Sequence, residues 1–264
     1  MTHALCQVRA FVNRDFITDF TYRLSFAIGV ADALFGVGAY YFLSTMIGLR
    51  PGGYDAFAFI LTGIVLNSAM STALSCYAQS VRDSQHAATL PLVLIAPASP
   101  PRLMALSSAY PMMRAAIEGA LFLAAGVAIG LPLGATNWPG AAVVFLTAMA
   151  AFSAIGIVSA ACIVVWKRGD PIPWLIGAAS WLLGGVFYPV EQMPGWLQAF
   201  SRLLPITYAL EAWRPALLDG LPFEAVLLHA APLVVFTLVA VPLSLLAFDR
   251  AVARARRDGT LRQF

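Results

Sequence analysis

The sequence predicts an all-α integral membrane protein with six transmembrane helices. Of its 264 residues, 60% are hydrophobic and 11% are charged, and the mean hydropathy is +0.80. A soluble domain is nearer to half apolar and a quarter charged. In addition, six windows are apolar enough to cross the roughly 30 Å hydrocarbon core of a bilayer, which takes about 20 residues of helix. The basic residues also gather at alternate connections between these windows.

An amphipathic helix is predicted over residues 1–22, ahead of the first span. Its apolar residues recur at helical spacing, whereas Arg9, Arg14 and Asp15 interrupt the continuous apolar core that a signal peptide needs. One apolar stripe on a charged helix is typical of a helix that lies in the membrane interface.

The six spans follow in order, and the fifth is short. They are predicted at Leu24–Ile47, Phe57–Gln79, Leu103–Gly130, Ala141–Trp166, Ile172–Phe187 and Ala225–Phe248. No connection is long enough for a separate soluble domain, so residues 1–264 are interpreted as a single transmembrane domain.

Charge predicts the orientation of the spans. Basic residues concentrate before span one, after spans two and four, and in the tail 249–264, whereas the opposite side mixes Arg with Asp and Glu. Since excess Lys and Arg stay in the cytoplasm, both termini are expected there.

Two half-helices are predicted between spans five and six, over residues 188–220 on the outer side. Pro194 and Pro205 suit the first turns of these helices, where a missing N–H costs nothing. Because Trp196, Phe200 and Leu203 make the segment apolar, a re-entrant pair that dips into the outer leaflet is one interpretation. An ordinary amphipathic loop on the outer surface is the other.

The cytoplasmic connection over residues 80–102 is polar, then apolar, then rich in proline. Its Leu92–Ile95 segment is too apolar for a loop left bare, which favours a docking surface for a partner protein. The alternative is a loop packed on its own bundle.

Three charged residues fall inside predicted spans. Arg114 and Glu118 are spaced i,i+4, so pairing on one face of span three is favoured over a role in substrate binding. Asp32 of span one has no partner at helical spacing. It could pair across helices or face a polar cavity near Asn67, Ser68 and Ser71.

No sequence pattern indicates an enzyme or a metal site. Cys6, Cys76 and Cys162 have no pair spacing, and the three histidines are scattered. The chain contains no GxxxxGK[ST] nucleotide-binding motif, no HExxH and no GxSxG. We therefore expect no catalytic residue, no metal and no cofactor on this chain.

Two stretches nevertheless carry a family resemblance. Phe187-Tyr188-Pro189, then Met193-Pro194-x-Trp196-Leu197, Leu204-Pro205-x-x-Tyr208 and Trp213-Arg214 resemble the C-terminal signature of ABC-2 type transporter permeases. Thr89-Leu90 followed by Leu92, Leu94 and Ala96-Pro97-Ala98-Ser99 looks like the family's loop pattern, although Ala88 and Pro91 depart from its usual Gly and acid.

The resemblance implies the permease subunit of an ATP-driven exporter in the inner (plasma) membrane of a bacterium. It implies a separate ATPase subunit that binds ATP and Mg²⁺, and a second permease chain, more often an identical one. No nucleic acid is expected to bind. The implied ATPase-docking residues are Arg82, Thr89, Leu90, Leu92, Leu94 and Pro97. The implied extracellular gate residues are Tyr188, Pro189, Met193, Pro194, Trp196, Pro205, Tyr208 and Arg214.

The substrate class is less determined. The approach to span one, around Arg14-Asp15-Phe16 and Tyr22-Arg23-Leu24-Ser25, lacks the pattern of the polysaccharide branch, which favours a drug, antibiotic or lipid substrate. Export of a polysaccharide or lipid-linked glycan is the alternative. From other classes, an ATP-independent secondary transporter or a non-transporting membrane subunit remain as rivals.

Overall fold

A computed structural model describes residues 23–47, 51–86, 100–166 and 172–257 of the chain. Within these ranges the structure is all-helical, which confirms the predicted class. The α-helices are α1 (Arg23–Ile47), α2 (Ala56–His86), α3 (Pro100–Ile129), α4 (Trp138–Trp166), α5 (Ile172–Leu183), α6 (Gly195–Ser201), α7 (Pro205–Arg214) and α8 (Phe223–Arg257). Short 3₁₀ turns lie at Pro51–Gly53 and Val190–Gln192, and a π-helical turn, Pro215–Asp219, follows α7.

Three predicted features lie wholly or mainly outside the described residues. These are the interfacial helix over 1–22, most of the docking loop and the end of the basic tail.

Four of the described helices are long and apolar enough to cross a membrane. They are α2, α3, α4 and α8. The described parts of α1 and α5 contain shorter apolar helices, Leu34–Met46 and Ile172–Leu183. The chain is therefore a multi-pass membrane protein, while the count of six spans stays a prediction.

The centre of the bundle is formed by α2 and α4. In the most apolar window of each helix, 83% of the residues are buried in α2 and 72% in α4. The corresponding shares are 22% in α3 and 17% in α8. Helix α4 packs along α8 on one side and α2 on the other. Fully buried Phe152 of α4 and Leu66 of α2 belong to the resulting core.

One glycine sets the spacing between α2 and α4. A Cβ atom on Gly156 would lie 2.5 Å from the carbonyl oxygen of Leu74 and 3.0 Å from that of Ala73. The neighbouring Ala160 of α4 is also fully buried. Small residues allow two backbones to approach closely in this way.

Helix α5 ends earlier than the sequence predicts. The predicted span reaches Phe187, but the helix stops at Leu183. The reason is Gly185, whose φ of 78° is left-handed and turns the backbone away from the helix. Gly184 also has no room for a side chain, because a Cβ atom there would lie 2.5 Å from Cγ2 of Ile206.

We expect Gly156→Ala to destabilise the protein by about 1–3 kcal/mol. The added methyl group would collide with a backbone carbonyl, which cannot move aside as a flexible side chain can. Thermal unfolding in detergent micelles measures this loss. Gly38→Ala is the matched control, since a Cβ atom on Gly38 of α1 meets nothing within 4 Å. An equal melting temperature for the two variants would contradict the close approach of α2 and α4.

Candidate functional site: the outer helix pair and its buried arginine

The two half-helices between α5 and α8 differ in burial. Helix α6 buries only Ser201, while Trp196 and Phe200 are 66% and 56% exposed. In α7 eight of the ten residues are buried, and α7 packs against α2, α4 and α8. An ordinary surface loop therefore does not describe α7, which lies inside the bundle.

Side-chain hydrogen bonds close the elbow between α6 and α7. The Thr207 hydroxyl donates to the carbonyl oxygen of Ser201 at 2.8 Å, and the two hydroxyl oxygens lie 3.1 Å apart. The Tyr208 hydroxyl donates to the carbonyl oxygen of Arg202 at 2.8 Å. Pro205 occupies the first turn of α7, where its missing N–H leaves no bond unmade. The sequence Leu204-Pro205-Ile206-Thr207-Tyr208 thus holds the turn between α6 and α7 in one conformation.

Arg214 ends α7 and is almost fully buried, at 7% exposure. Its Nη2 lies 2.9 Å from the carbonyl oxygen of Gly185, 3.0 Å from that of Val186 and 3.2 Å from that of Phe59. The guanidinium carbon also lies 3.4 Å from the centroid of the Phe59 ring. One side chain therefore joins three elements: α7, the backbone after α5, and α2.

Gly63 makes room for this cluster. A Cβ atom on Gly63 would lie 2.6 Å from the carbonyl oxygen of Val186 and 2.9 Å from Nη2 of Arg214. The glycine lets the backbone after α5 lie directly against α2. We call Arg214, Phe59, Gly63, Gly185 and Val186 the arginine cluster.

The positive charge of Arg214 is stabilised by backbone carbonyl dipoles and an aromatic ring. In the described part of the chain, no Asp or Glu forms an ion pair with Arg214, and its Nε has no hydrogen-bond partner. The carbonyl oxygens of Gly185 and Val186 follow the C-terminus of α5, where the helix dipole is negative and favours a cation. The face of the Phe59 ring adds a cation–π attraction. Oriented dipoles thus stabilise a charge that is costly to bury alone.

Trp213 attaches α7 to its neighbours a second time. Its indole N–H donates to the carbonyl oxygen of Thr62 at 3.2 Å, and its ring lies 5.8 Å from the ring of Phe145 on α4. Trp213 and Arg214 are sequence neighbours, so they anchor α7 to adjacent turns of α2.

The π-helical turn after α7 is held by the outer loops. The amide N–H of Asn137 donates to the carbonyl oxygen of Ala216 at 2.9 Å, and the Thr136 hydroxyl donates to that of Leu217 at 2.7 Å. The Tyr54 hydroxyl donates to the Asp219 carboxylate. Burial and then Asp219 raise the pKa of Tyr54 above its usual value, so the phenol stays a donor.

The predicted gate residues share the outer segment but not one environment. Pro189, Met193 and Pro205 are buried with Arg214, and Tyr208 is half-buried. Pro194 and Trp196 are exposed, and the exposed Tyr188 donates its hydroxyl to the carbonyl oxygen of Leu182. The structure brings only Arg214 of this set into the arginine cluster.

The other predicted sites are described in part. Arg82 is half-buried near the end of α2, whereas Thr89, Leu90, Leu92, Leu94 and Pro97 lie outside the described residues. The Asp32 side chain also lies outside them. Nε of Arg114 and Oε1 of Glu118 are 2.9 Å apart, as the spacing predicts.

Sequence reasoning missed Phe59, Gly63 and Gly185. Each sits in a stretch that looks like ordinary membrane helix, and their partner in α7 is more than 25 residues away. Two features of the sequence pointed to this site: an arginine in an apolar segment and a glycine inside an apolar span. Neither feature shows that the two residues are in contact.

Known proteins resemble this chain over most of its length. Residues 93–218, which include α3 to α7, match the sequence model of the family described as ABC-2 type transporter. Nodulation protein J of Rhizobium leguminosarum bv. trifolii is 29% identical over 228 residues, which cover 84% of this chain and 83% of that protein. Nodulation protein J of Rhizobium meliloti (strain 1021) is 29% identical over 212 residues, 78% of this chain and 77% of that protein. Inner membrane transport permease YadH of Escherichia coli (strain K12) is 24% identical over 172 residues, 64% of this chain and 67% of that protein.

We expect Arg214→Leu to loosen the outer half of the bundle, because three carbonyl oxygens lose their shared donor and each buried unsatisfied group costs about 1–3 kcal/mol. Hydrogen exchange of the Gly184–Tyr188 amides should become faster, and the melting temperature should fall. Arg202→Leu is the control, since Arg202 belongs to the same helix pair but is exposed. Equal exchange rates in the two variants would show that the arginine cluster does not hold this segment.

We expect Gly63→Ala to produce the same local loosening without removing a charge, because the added methyl pushes against Val186 and Arg214. Hydrogen exchange over Gly184–Tyr188 is again the measurement. Faster exchange in Arg214→Leu but not in Gly63→Ala would assign the effect to charge alone and contradict the close packing.

Proposed function

Because the chain belongs to the ABC-2 type transporter family, we propose that it is the permease subunit of an ATP-driven exporter. It is a multi-pass transporter permease, and its family associates with an ATPase subunit. In the proposal, ATP and Mg²⁺ are bound by that separate subunit, this chain binds no cofactor, and the direction of transport is outward. A second permease chain, identical to this one, faces it in a homodimer.

The structural observation that supports an outer gate in this proposal is the anchoring of α7 by the arginine cluster. A gate must move with the helices that line a path, and Arg214 bonds to both α2 and the backbone after α5. A displacement of either element is therefore passed directly to the outer half-helices. We propose that α6 and α7 form the outer gate, and that the exposed Trp196 and Phe200 contact the second chain.

Exposed apolar side chains on α1 and α5 support a facing chain. Phe35 and Met46 of α1 are 81% and 87% exposed, and Trp174 of α5 is 75% exposed. Apolar faces of this kind suit either lipid or a partner helix. We propose that the two copies meet along these faces and enclose the path between them.

On the cytoplasmic side, the proposal assigns coupling to Arg82 near the end of α2 and to the loop that follows His86. Closure of the two ATPases would push on the docking residues Thr89 to Pro97, and α2 would carry the motion to the outer side. Helix α2 suits this role because it is continuous from Ala56 to His86 and ends beside the loop. At 1.5 Å per residue its 31 residues span about 46 Å, enough to connect both membrane faces.

For the substrate we propose a hydrophobic or amphipathic molecule of the drug, antibiotic or lipid type. A glycan substrate is the second candidate, because the relatives of widest coverage are named for nodulation and not for drug export. The name of the Escherichia coli relative specifies transport without a substrate.

Purification of the full chain from its native membrane tests the proposal. We expect a soluble Walker-motif ATPase to purify with it, and ATP hydrolysis that is sensitive to vanadate and depends on this chain. Leu92→Glu with Leu94→Glu should abolish the association, because charge replaces the apolar docking surface. Leu203→Glu is the control, since Leu203 is 75% exposed in the outer segment.

A chain that purifies alone, without nucleotide hydrolysis, would overturn the exporter proposal. It would favour an ATP-independent transporter or a non-transporting membrane subunit instead.

A further inference from the structure

A pocket of about 300 Å³ lies between α2, α4 and α5. This volume is at the lower end of the range of about 300–1,000 Å³ that ligand sites occupy. The pocket is separate from the arginine cluster, since none of the five cluster residues lines it.

Two helix faces form the pocket walls. Asn67, Ser71 and Leu74 recur at i, i+4 and i+7 on α2, so they share one side of that helix. Trp174 and Trp181 are spaced i,i+7 on α5 and lie on one side of it. The Trp181 ring lies 5.0 Å from the Phe187 ring, which supports the outer end of the wall.

Two polar residues of the pocket, Asn67 and Ser180, are buried. The Ser180 residue is 2% exposed, and its hydroxyl oxygen has no hydrogen-bond partner among the described residues. Asn67 is 5% exposed, and none of the hydrogen bonds in the described ranges uses its amide. Buried polar groups of this kind are normally satisfied, so an unpaired hydroxyl beside a pocket is a candidate for a hydrogen bond from a ligand.

The remaining described chemistry of the pocket is apolar and uncharged. Its other described walls include Met70, Phe152 and the two tryptophans, and none of the described lining residues is an Asp, Glu, Lys, Arg or His. Asn67 lies about 16 Å along α2 from Ala56, near the middle of the span. A charged ligand group at that depth would be buried without a counter-ion, which is costly.

We propose that this pocket binds an uncharged amphiphile that has an apolar body and a hydroxyl or amide group at one end. The apolar body lies against Trp174, Trp181 and Met70, and the polar end bonds with Asn67 and Ser180. Resting on the proposed transport function, this chemistry assigns a neutral, lipid-like substrate to this site.

Photolabelling of the full chain in nanodiscs of phosphatidylethanolamine and phosphatidylglycerol tests the pocket. The probe is a monoacylglycerol with a diazirine in its acyl chain. We expect labelled peptides that contain residues 67–74 and 173–181. Unlabelled monoacylglycerol should compete, whereas an alkyltrimethylammonium of the same chain length should not. Labelling spread evenly over the exposed helices, or equal competition by the cation, would overturn the proposal.

Two variants test the assignment of the walls. Gly177 lines the pocket and a Cβ atom on it meets nothing within 4 Å, so Gly177→Leu fills the pocket without a backbone clash. It should lower labelling about tenfold, the effect of losing about 1.4 kcal/mol of binding. Gly38→Leu on α1 is the matched control, with equally open space and no place in the pocket. Unchanged labelling in Gly177→Leu would place the ligand elsewhere.

Asn67→Leu keeps the volume and removes the polar partner, so it should also weaken labelling about tenfold. It decides the matter if Gly177→Leu fails to fold, and unchanged labelling in Asn67→Leu would overturn the assigned polar end. Binding is measured without ATP or an ATPase. A failure here, with co-purification of the ATPase intact, would therefore reject the neutral amphiphile and leave the exporter proposal standing.

Discussion

The outer half of this protein depends on the contacts that one buried guanidinium makes. Nη2 of Arg214 contacts three carbonyl oxygens and its guanidinium lies over an aromatic face, and none of the described carboxylates pairs with it. Carbonyl dipoles are fixed by the backbone, so the charge can be satisfied only when α7, α2 and the end of α5 take one mutual arrangement. Removing the charge leaves acceptors unpaired, and moving any element leaves the charge unpaired. The interaction therefore specifies geometry as much as it contributes stability.

Several local features follow from this constraint. Helix α5 stops at Leu183 because the backbone must turn to present the carbonyl oxygens of Gly185 and Val186. Gly63 has no side chain because that backbone lies against α2. The elbow at Pro205 then directs α7 into the bundle, where Trp213 binds α2 one turn from the arginine. A non-spanning helix can lie inside a membrane protein when its polar groups are satisfied in this way.

The distribution of burial separates a rigid centre from an apolar periphery. Helices α2 and α4 approach closely at Gly156 and bury most residues of their apolar windows, whereas α1 and α5 present large apolar side chains outward. The pocket lies at the boundary, with α2 and α4 as its fixed wall and α5 as its exposed one. In the proposed transport cycle the arginine cluster would connect that exposed wall to the outer half-helices. Substrate binding and gating would then share the same two helices, α2 and α5.

The sequence by itself determined the helical membrane class, the first residue of each long apolar helix to within about three residues, the proline-initiated half-helices and the Arg114–Glu118 pair. These follow from composition, hydropathy and spacing along one helix, which are local properties. A polar cavity near Asn67, Ser68 and Ser71 was only one of two alternatives for the partner of Asp32, whose side chain lies outside the described residues. Only the tertiary structure decided that α7 is buried, that Arg214 binds Gly185 and Val186, and that Ser180 and Trp174 complete a pocket with α2. The physical reason is that every residue has a backbone carbonyl oxygen, and that a glycine in the sequence does not show which neighbour lies against it. Helix packing determines which carbonyl oxygens and which glycines come into contact, and residue type alone does not predict these contacts.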